Sequence, residues 1–555
     1  MNIDEVQIAA ESPRVRSKLS REHVKRRNSD ILLYTLFIVL ALVTYGWHYG
    51  WHNHAALIPA IYHLMDPSYL ANDLEAGDFP IYIRALTWLI AQMAKVIPLP
   101  LVCFAFQVFS LLLLFFAVRK LAEALLPKEP LFGWFVVFVL IIYRYFVPGQ
   151  NLIIGSWILF EPTFYMYTLG YAVTLLALVY LAQNKVVLAG VLAGLALYVQ
   201  LNHGEQVFLL LGGVLLLSQG RISQKAKNIA LFTLIGVTIG APVLVPAFND
   251  QILSLVHLRS ANMDGASFYD VFRFRHRHHL QPTAWPMTHH VMFLMQILAT
   301  WYLFRVRKRV AWENIDRVCS QAFVVIVLLC GLGYANEWLK IEFIDKSYLF
   351  RTSVISAIIT VAYSCWALWY FAISKIKEAT LQRLYRYGLT ALSVYVAAAF
   401  LLVYFHPELF TGWRSKIYPG FTFNIELTPL EKHILEHTPK DAVFLVSPDY
   451  TNFSVNTKRA GVVNWMAIPF NKDTFREWYR RIVDLTGGRV TIESMRSIFD
   501  SYAIRDSVGV AYYRLPPEKI PEIARKYNAQ YCVFSANLPF PSEYQWKDLI
   551  LYKLQ

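Results

Sequence analysis

Long apolar runs alternate with short polar stretches as far as residue 405. The runs lie at roughly 31–47, 100–118, 131–148, 164–182, 186–201, 205–218, 228–247, 289–305, 318–334, 350–371 and 387–405. Most approach the ~20 residues that cross a hydrocarbon core, so the pattern predicts about eleven transmembrane helices. The stretch 81–97, IYIRALTWLIAQMAKVI, carries Arg84 and Lys95 and predicts an interfacial amphipathic helix instead. The turn around Leu201–Glu205 is tight, and it reads as a broken or re-entrant element with Asn202, His203 and Glu205.

The pattern changes after residue 406, and 425–555 holds no run of membrane length. Residues 428–438, 472–485 and 518–528 predict helices. AVFLV at 442–446 and QYCVFS near 530–535 predict strands. Alternating strands and helices point to a small α/β domain at 406–555. Asp449, Tyr450, Arg459 and Trp465 follow its first strand, where open sheets bind ligands. The same loops also fit a lid or docking platform, and that reading is favoured here.

Charge sets the expected orientation. Residues 1–30 end in a basic run, Arg14 to Arg27, without a convincing cleavage site after the apolar run that follows. They read as a cytoplasmic tail and a retained first helix. Further basic clusters (Arg119/Lys120/Lys128, Lys185, Arg221/Lys225/Lys227, Arg305–Arg309 and Lys375–Arg386) fall in alternate loops. The positive-inside rule then leaves 48–99, 149–163, 248–288, 335–349 and the C-terminal region outside the cytoplasm. The 555 residues are 56% hydrophobic and 16% charged, against about a quarter charged in soluble domains. The net charge of +14 is spread over topology-setting loops, which argues against nucleic acid as a partner. Five scattered cysteines give no disulfide framework.

Candidate chemistry gathers in the predicted outer loops. WHYGWHNHAALIPAIYHLMDPSYLANDLEAGDFP (47–80) holds Asp66, Asp73, Glu75 and Asp78. A carboxylate beside a bilayer needs a reason. Asp73 leads as a general base, with Asp78 and Glu75 behind it; spacing does not separate them, and each also fits a helix or turn cap. RFRHRHHLQPTAW (273–285) offers Arg273, Arg275, Arg277, His278 and His279 to a phosphate or sugar. Contact with anionic lipid headgroups is the plainer alternative. Arg351 opens a span after KSYLF, where a lipid phosphate or headgroup snorkelling would satisfy it. Glu161 precedes Pro162 and fits a vestibule lining or a cap. The histidines lack a zinc pattern, and no residue set compels a divalent cation. A lipid-linked phosphate fits this layout, its tail in the bilayer and its headgroup among the loops.

Three stretches resemble polytopic GT-C-type glycosyltransferases. They are DPSYLANDLEAGDF (66–79), RHRHHLQPTAW (275–285) and DAVFLVSPDYTNFSVNTKRAGVVNWMAIPF (441–470); the last two are similar to an uncharacterised bacterial branch of these enzymes. The resemblance implies a multi-helix core with an extracytoplasmic C-terminal domain. It also implies a polyprenyl-phosphate-linked sugar donor, Asp73 as base, Glu161 as a second acidic residue, and in some members a divalent cation. The acceptor, whether glycan, lipid or protein, stays open. A transporter or flippase, or a surface-polysaccharide polymerase or ligase, are the competing expectations; long outer loops and the absence of an evident inverted repeat favour group transfer over transport.

Overall fold

A computed structural model describes residues 13–51, 53–76, 81–146, 154–155, 159–257, 267–371, 420–467, 469, 472–498 and 501–554, with 376, 380, 383, 387, 390, 391 and 394. Contacts divide the chain into two compact units. One comprises Met1–Gly46 and Lys375–Gly420; the other comprises Trp47–Ser374 and Phe421–Gln555. The described part of the first is chiefly the helix Pro13–Tyr45, apolar from Ser29. All the residues discussed below belong to the second.

The chain is a multi-pass α-helical membrane protein, but the count of about eleven spans is not met. Among the described residues, four helices are long and apolar enough to cross a membrane: Leu99–Leu125, Ile222–Phe248, Asn314–Leu339 and Leu349–Phe371. The difference lies in helix length. Met166–Ala182, Val186–Val199 and Leu201–Leu217 have 17, 14 and 17 residues. The last two are split where Gln200 takes an extended conformation (φ −165°, ψ 130°). Met287–Val310 is long, but Thr288, His289, His290, Gln296 and Thr300 dilute its apolar face. The expected span at 387–405 lies almost wholly outside the described residues. Ile81–Ala94 forms a helix of 14 residues, too short to span.

Helix association rests on small residues and polar glue, neither visible in hydropathy alone. Gly190 and Gly194 face Gly236 and Gly240. A Cβ on Gly194 would lie 2.8 Å from the Gly236 carbonyl oxygen, and one on Gly240 would lie 2.2 Å from Leu197. Gln296 donates to Ser356 and Thr360 at 3.0 and 3.1 Å. Arg307 pairs with the fully buried Asp316 at 3.0 Å, and the Tyr363 hydroxyl donates to the same oxygen at 2.8 Å. A charge at that depth is retained because it is paired.

The expectation of a small α/β domain is also corrected: the strands form small open sheets. β1 (Trp47–His48) lies parallel to β2 (Phe421–Thr422). The remaining strands are β3 (Val443–Leu445), β4 (Ala460–Gly461), β5 (Tyr531–Phe534), β6 (Ser542–Trp546) and β7 (Leu549–Lys553), in the order β4-β3-β5-β7-β6. β3 is parallel to β4 and β5, whereas β7 is antiparallel to β5 and β6. Strands of two to five residues give little ladder, so side chains supply much of the cohesion. Leu430, Ile434, Phe444, Phe453, Val533 and Leu551 pack together. The Tyr512 hydroxyl is 3.0 Å from both the Leu445 and Val533 carbonyl oxygens, stitching β3 to β5. The helix Ser501–Tyr512 and the β6–β7 hairpin were not anticipated; their short, mixed sequences carry weak periodicity.

Candidate functional site

The acidic loop is built to hold itself. Leu70 adopts a left-handed φ of 56°, and the Asp73 amide closes a turn on its carbonyl at 3.0 Å. Asp73 Oδ1 then accepts from the amides of Glu75 and Ala76 at 3.0 and 2.8 Å. Burial raises the Asp73 carboxyl above its ordinary value. Burial, then the neighbouring Asp73 carboxyl, hold Glu75 well above its own. Glu75 Oε1 accepts from the Asn464 amide at 3.3 Å. Nearby, Asn72 donates to the Asp441 carbonyl at 2.9 Å, and Lys440 lies 4.6 Å from the Tyr69 ring centre. The loop therefore seats against the C-terminal segment. Asp78 lies outside the described residues.

The arginine–histidine stretch is a helix, Phe268–Leu280, capped by Ser267 and bent at His276. Its three arginines go to three places. Arg273 makes a two-pronged pair with Asp345 at 2.7 and 2.9 Å. Arg275 Nε donates to the Trp465 carbonyl at 2.7 Å, and its guanidinium lies 5.3 Å from the Trp465 ring centre. Arg277 Nη1 donates to the Met495 carbonyl at 2.9 Å and also to that of Ile498. Burial holds His276, His278 and His279 below the ordinary histidine value, His279 at about 3. They are neutral at pH 7 and serve as dipoles rather than cations.

A polar cluster forms where this helix meets Arg351. The Arg351 side chain is buried, with Nη2 2.6 Å from the Tyr167 hydroxyl and Nη1 3.3 Å from Gln200 Oε1. Its guanidinium lies 3.5 Å from the Tyr167 ring centre and 5.1 Å from that of Tyr348. The Tyr165 hydroxyl donates to that of Tyr167 at 3.1 Å, as does the Gln200 amide. His276 packs edge-on to Tyr348 with ring centres 5.5 Å apart, and His279 Nδ1 donates to the Gly155 carbonyl at 2.7 Å. Arg275 acts electrostatically on Tyr348 and on all three histidines.

Glu161 stands at the edge of the same cluster. Asn53 Nδ2 donates to its Oε1 at 3.5 Å, and Gln107 Nε2 to its backbone carbonyl at 3.1 Å. Burial raises its carboxyl to about 7. Glu161 and Arg351 both act electrostatically on Tyr165. The structure thus brings Glu161, Arg275, His279 and Arg351 near Tyr165, Tyr167, Gln200 and Tyr348, with His278 packed on His279, while Glu75 instead contacts Asn464 and Asp73 bonds within its own loop. The tyrosines and Gln200 escaped the sequence reading. Their signals were the YMY triplet at 165–167 and a glutamine between two apolar runs.

Below Arg351 a small cavity is lined by Tyr171, Thr174, His203, Gln206 and Thr352, among others, with room on the scale of a water molecule rather than a sugar. Thr174 donates its hydroxyl hydrogen to the Gly170 carbonyl, so His203 Nε2 donates to Thr174 and the ring is the Nε2–H tautomer. Among the described residues, no group of three His, Cys, Asp or Glu is placed to hold a metal ion.

Residues 427–485 match a family described as a domain of unknown function (DUF6798). The comparison with curated proteins gives no match. The matched segment holds its own polar residues tightly. Glu431 takes the Thr428 amide at 2.7 Å, Asn456 Nδ2 at 2.5 Å and the Tyr450 hydroxyl. Arg459 donates to the Leu435 and Thr438 carbonyls at 3.0 and 2.6 Å. Both ends of the helix Pro429–His437 are thereby capped. Arg459 and Tyr450 thus serve the fold in this conformation.

Proposed function

We propose that the protein is a membrane glycosyltransferase that moves a sugar from a polyprenyl-phosphate-linked donor to an acceptor on the extracytoplasmic side of a bacterial inner membrane. The observation that carries this reading is the buried Arg351 guanidinium, arrayed with the Tyr167 hydroxyl and Gln200 amide beside Glu161. A cation among fixed hydroxyl and amide dipoles suits a phosphate leaving group. A carboxyl near 7 suits a proton acceptor at neutral pH.

In this reading Glu161 takes the acceptor hydroxyl proton. The acceptor oxygen bonds to the anomeric carbon as that carbon's bond to the phosphate oxygen breaks. The phosphate leaves with the bonding pair, toward Arg351. Asp73 and Glu75 shape the first loop, so the base role moves from Asp73 to Glu161. The cavity adjoining Arg351 holds only a water-sized space, so binding a headgroup requires the site to widen.

The test compares purified wild type, Arg351→Lys and Arg351→Gln with a panel of polyprenyl-phosphate sugars and membrane-extracted acceptors. Transfer should fall at least tenfold in Arg351→Lys, which loses the planar fork, and further in Arg351→Gln. Unchanged transfer in a folded Arg351→Gln protein would overturn the assignment.

A further inference from the structure

One turn of the matched segment, Asn464–Trp465–Met466, reaches both polar elements of the candidate site. Its backbone groups are almost fully accounted for. The Asn464 amide donates to Glu75 at 3.3 Å, and the Asn464 carbonyl accepts from the Trp478 indole at 2.8 Å. The Trp465 amide donates to the Pro448 carbonyl at 2.9 Å, and the Trp465 carbonyl accepts from Arg275 Nε at 2.7 Å. The Asn464 side chain shapes the turn: its Oδ1 accepts from the Met466 amide at 2.8 Å and its Nδ2 donates to the Thr451 carbonyl at 2.8 Å.

Aromatic packing fixes the turn against the helix. Trp465 lies edge-on to Phe274 with ring centres 5.7 Å apart, and 5.5 Å from Trp478. Trp478 stacks on Phe475, which in turn contacts Phe272. The acidic loop is anchored from the same segment by Asn72 to Asp441 and by Lys458, 5.5 Å from the Tyr69 ring centre.

We infer that the 427–485 segment is a positioning clamp, in which the Asn464–Met466 turn sets the acidic loop 66–76 and the helix 268–280 in one register. Asn464 and Trp465 are positioning residues: they act on the site through Glu75 and Arg275. The consequence is coupling. Displacement of the loop at Glu75 is felt at Arg275 and its histidines, and the reverse. The meaning of this coupling for catalysis rests on the transferase reading, but the coupling itself does not.

Hydrogen exchange on the full-length protein in detergent tests it. Asn464→Ala removes both side-chain bonds that hold the turn. It should speed exchange about tenfold in peptides covering 70–76 and in those covering 268–280, leaving 353–371 unchanged. Faster exchange in the turn alone, or in one of the two elements, would overturn the clamp. Should Asn464→Ala fail to fold, Arg275→Met tests it from the other side. Its loss of the Trp465 bond should loosen 70–76, across the turn, and an unchanged 70–76 would overturn the inference. Exchange needs no turnover, so coupled exchange in a protein without sugar transfer keeps the clamp and discards the transferase reading.

Discussion

Glu161→Gln isolates the group on which the proposed proton transfer depends. Burial raises the Glu161 carboxyl from the ordinary 4.5 to about 7. Between these values the folded chain holds a proton that the unfolded chain has released. The resulting stabilisation is complete below about pH 4.5 and is lost as pH rises through about 7. At ~1.4 kcal/mol per pH unit, the full loss is about 3–4 kcal/mol. Glutamine keeps an acceptor for Asn53 Nδ2 and does not ionise. The assay is intrinsic-fluorescence unfolding of both proteins in detergent from about pH 5 to about pH 8. Wild type should lose stability relative to Glu161→Gln steadily from about pH 5 to about pH 7 and level off above that. Parallel curves would refute the buried-carboxyl argument. If Glu161 also takes the acceptor proton, wild-type transfer rises through the same interval and the variant has little at any pH.

Two further substitutions probe the surroundings of the site. A Cβ on Gly170 would meet His203 Cδ2 at 2.5 Å, so Gly170→Ala should cost about 1–3 kcal/mol by thermal unfolding, and the cost should vanish in a His203→Ala background. Asp345→Asn leaves Arg273 buried with Glu337, 4.0 Å away, as its remaining ion-pair partner here; about 3 kcal/mol of stability should go, and the loss should shrink when Arg273→Met is added.

Much of the site was legible as polar stretches interrupting apolar ones, but the pairings were not. A helix of 3.6 residues per turn puts Arg273 and Arg277 near one face and Arg275 near the other, so the three could not converge on one phosphate. That argument becomes available once 268–280 is read as a helix with a Ser267–Asp270 cap, SFYD, rather than as a loop. Asp73 was legible as a special carboxylate, but its bonds to two amides of its own loop were not. The span count failed for a similar reason. Apolar runs are visible in sequence, whereas the break at Gln200 and the short helices flanking it depend on how the chain turns and packs.

The role of the C-terminal segment was hidden at a deeper level. Side-chain chemistry after β3 drew attention to Asp449, Tyr450 and Arg459, yet Tyr450 and Arg459 bond within the segment, as does Asp449 with Ser447. The groups that reach the site's elements from Asn464 and Trp465 are an amide and a carbonyl, which every non-proline residue possesses. No residue type marks them. What the sequence does carry is the support: Asn464, whose side chain bonds on both sides of the turn, and Trp465 with Trp478, whose rings lock it against Phe274 and Phe475. A substitution that preserves the rings but alters the turn should therefore disturb the site more than one that removes a surface charge from the same segment.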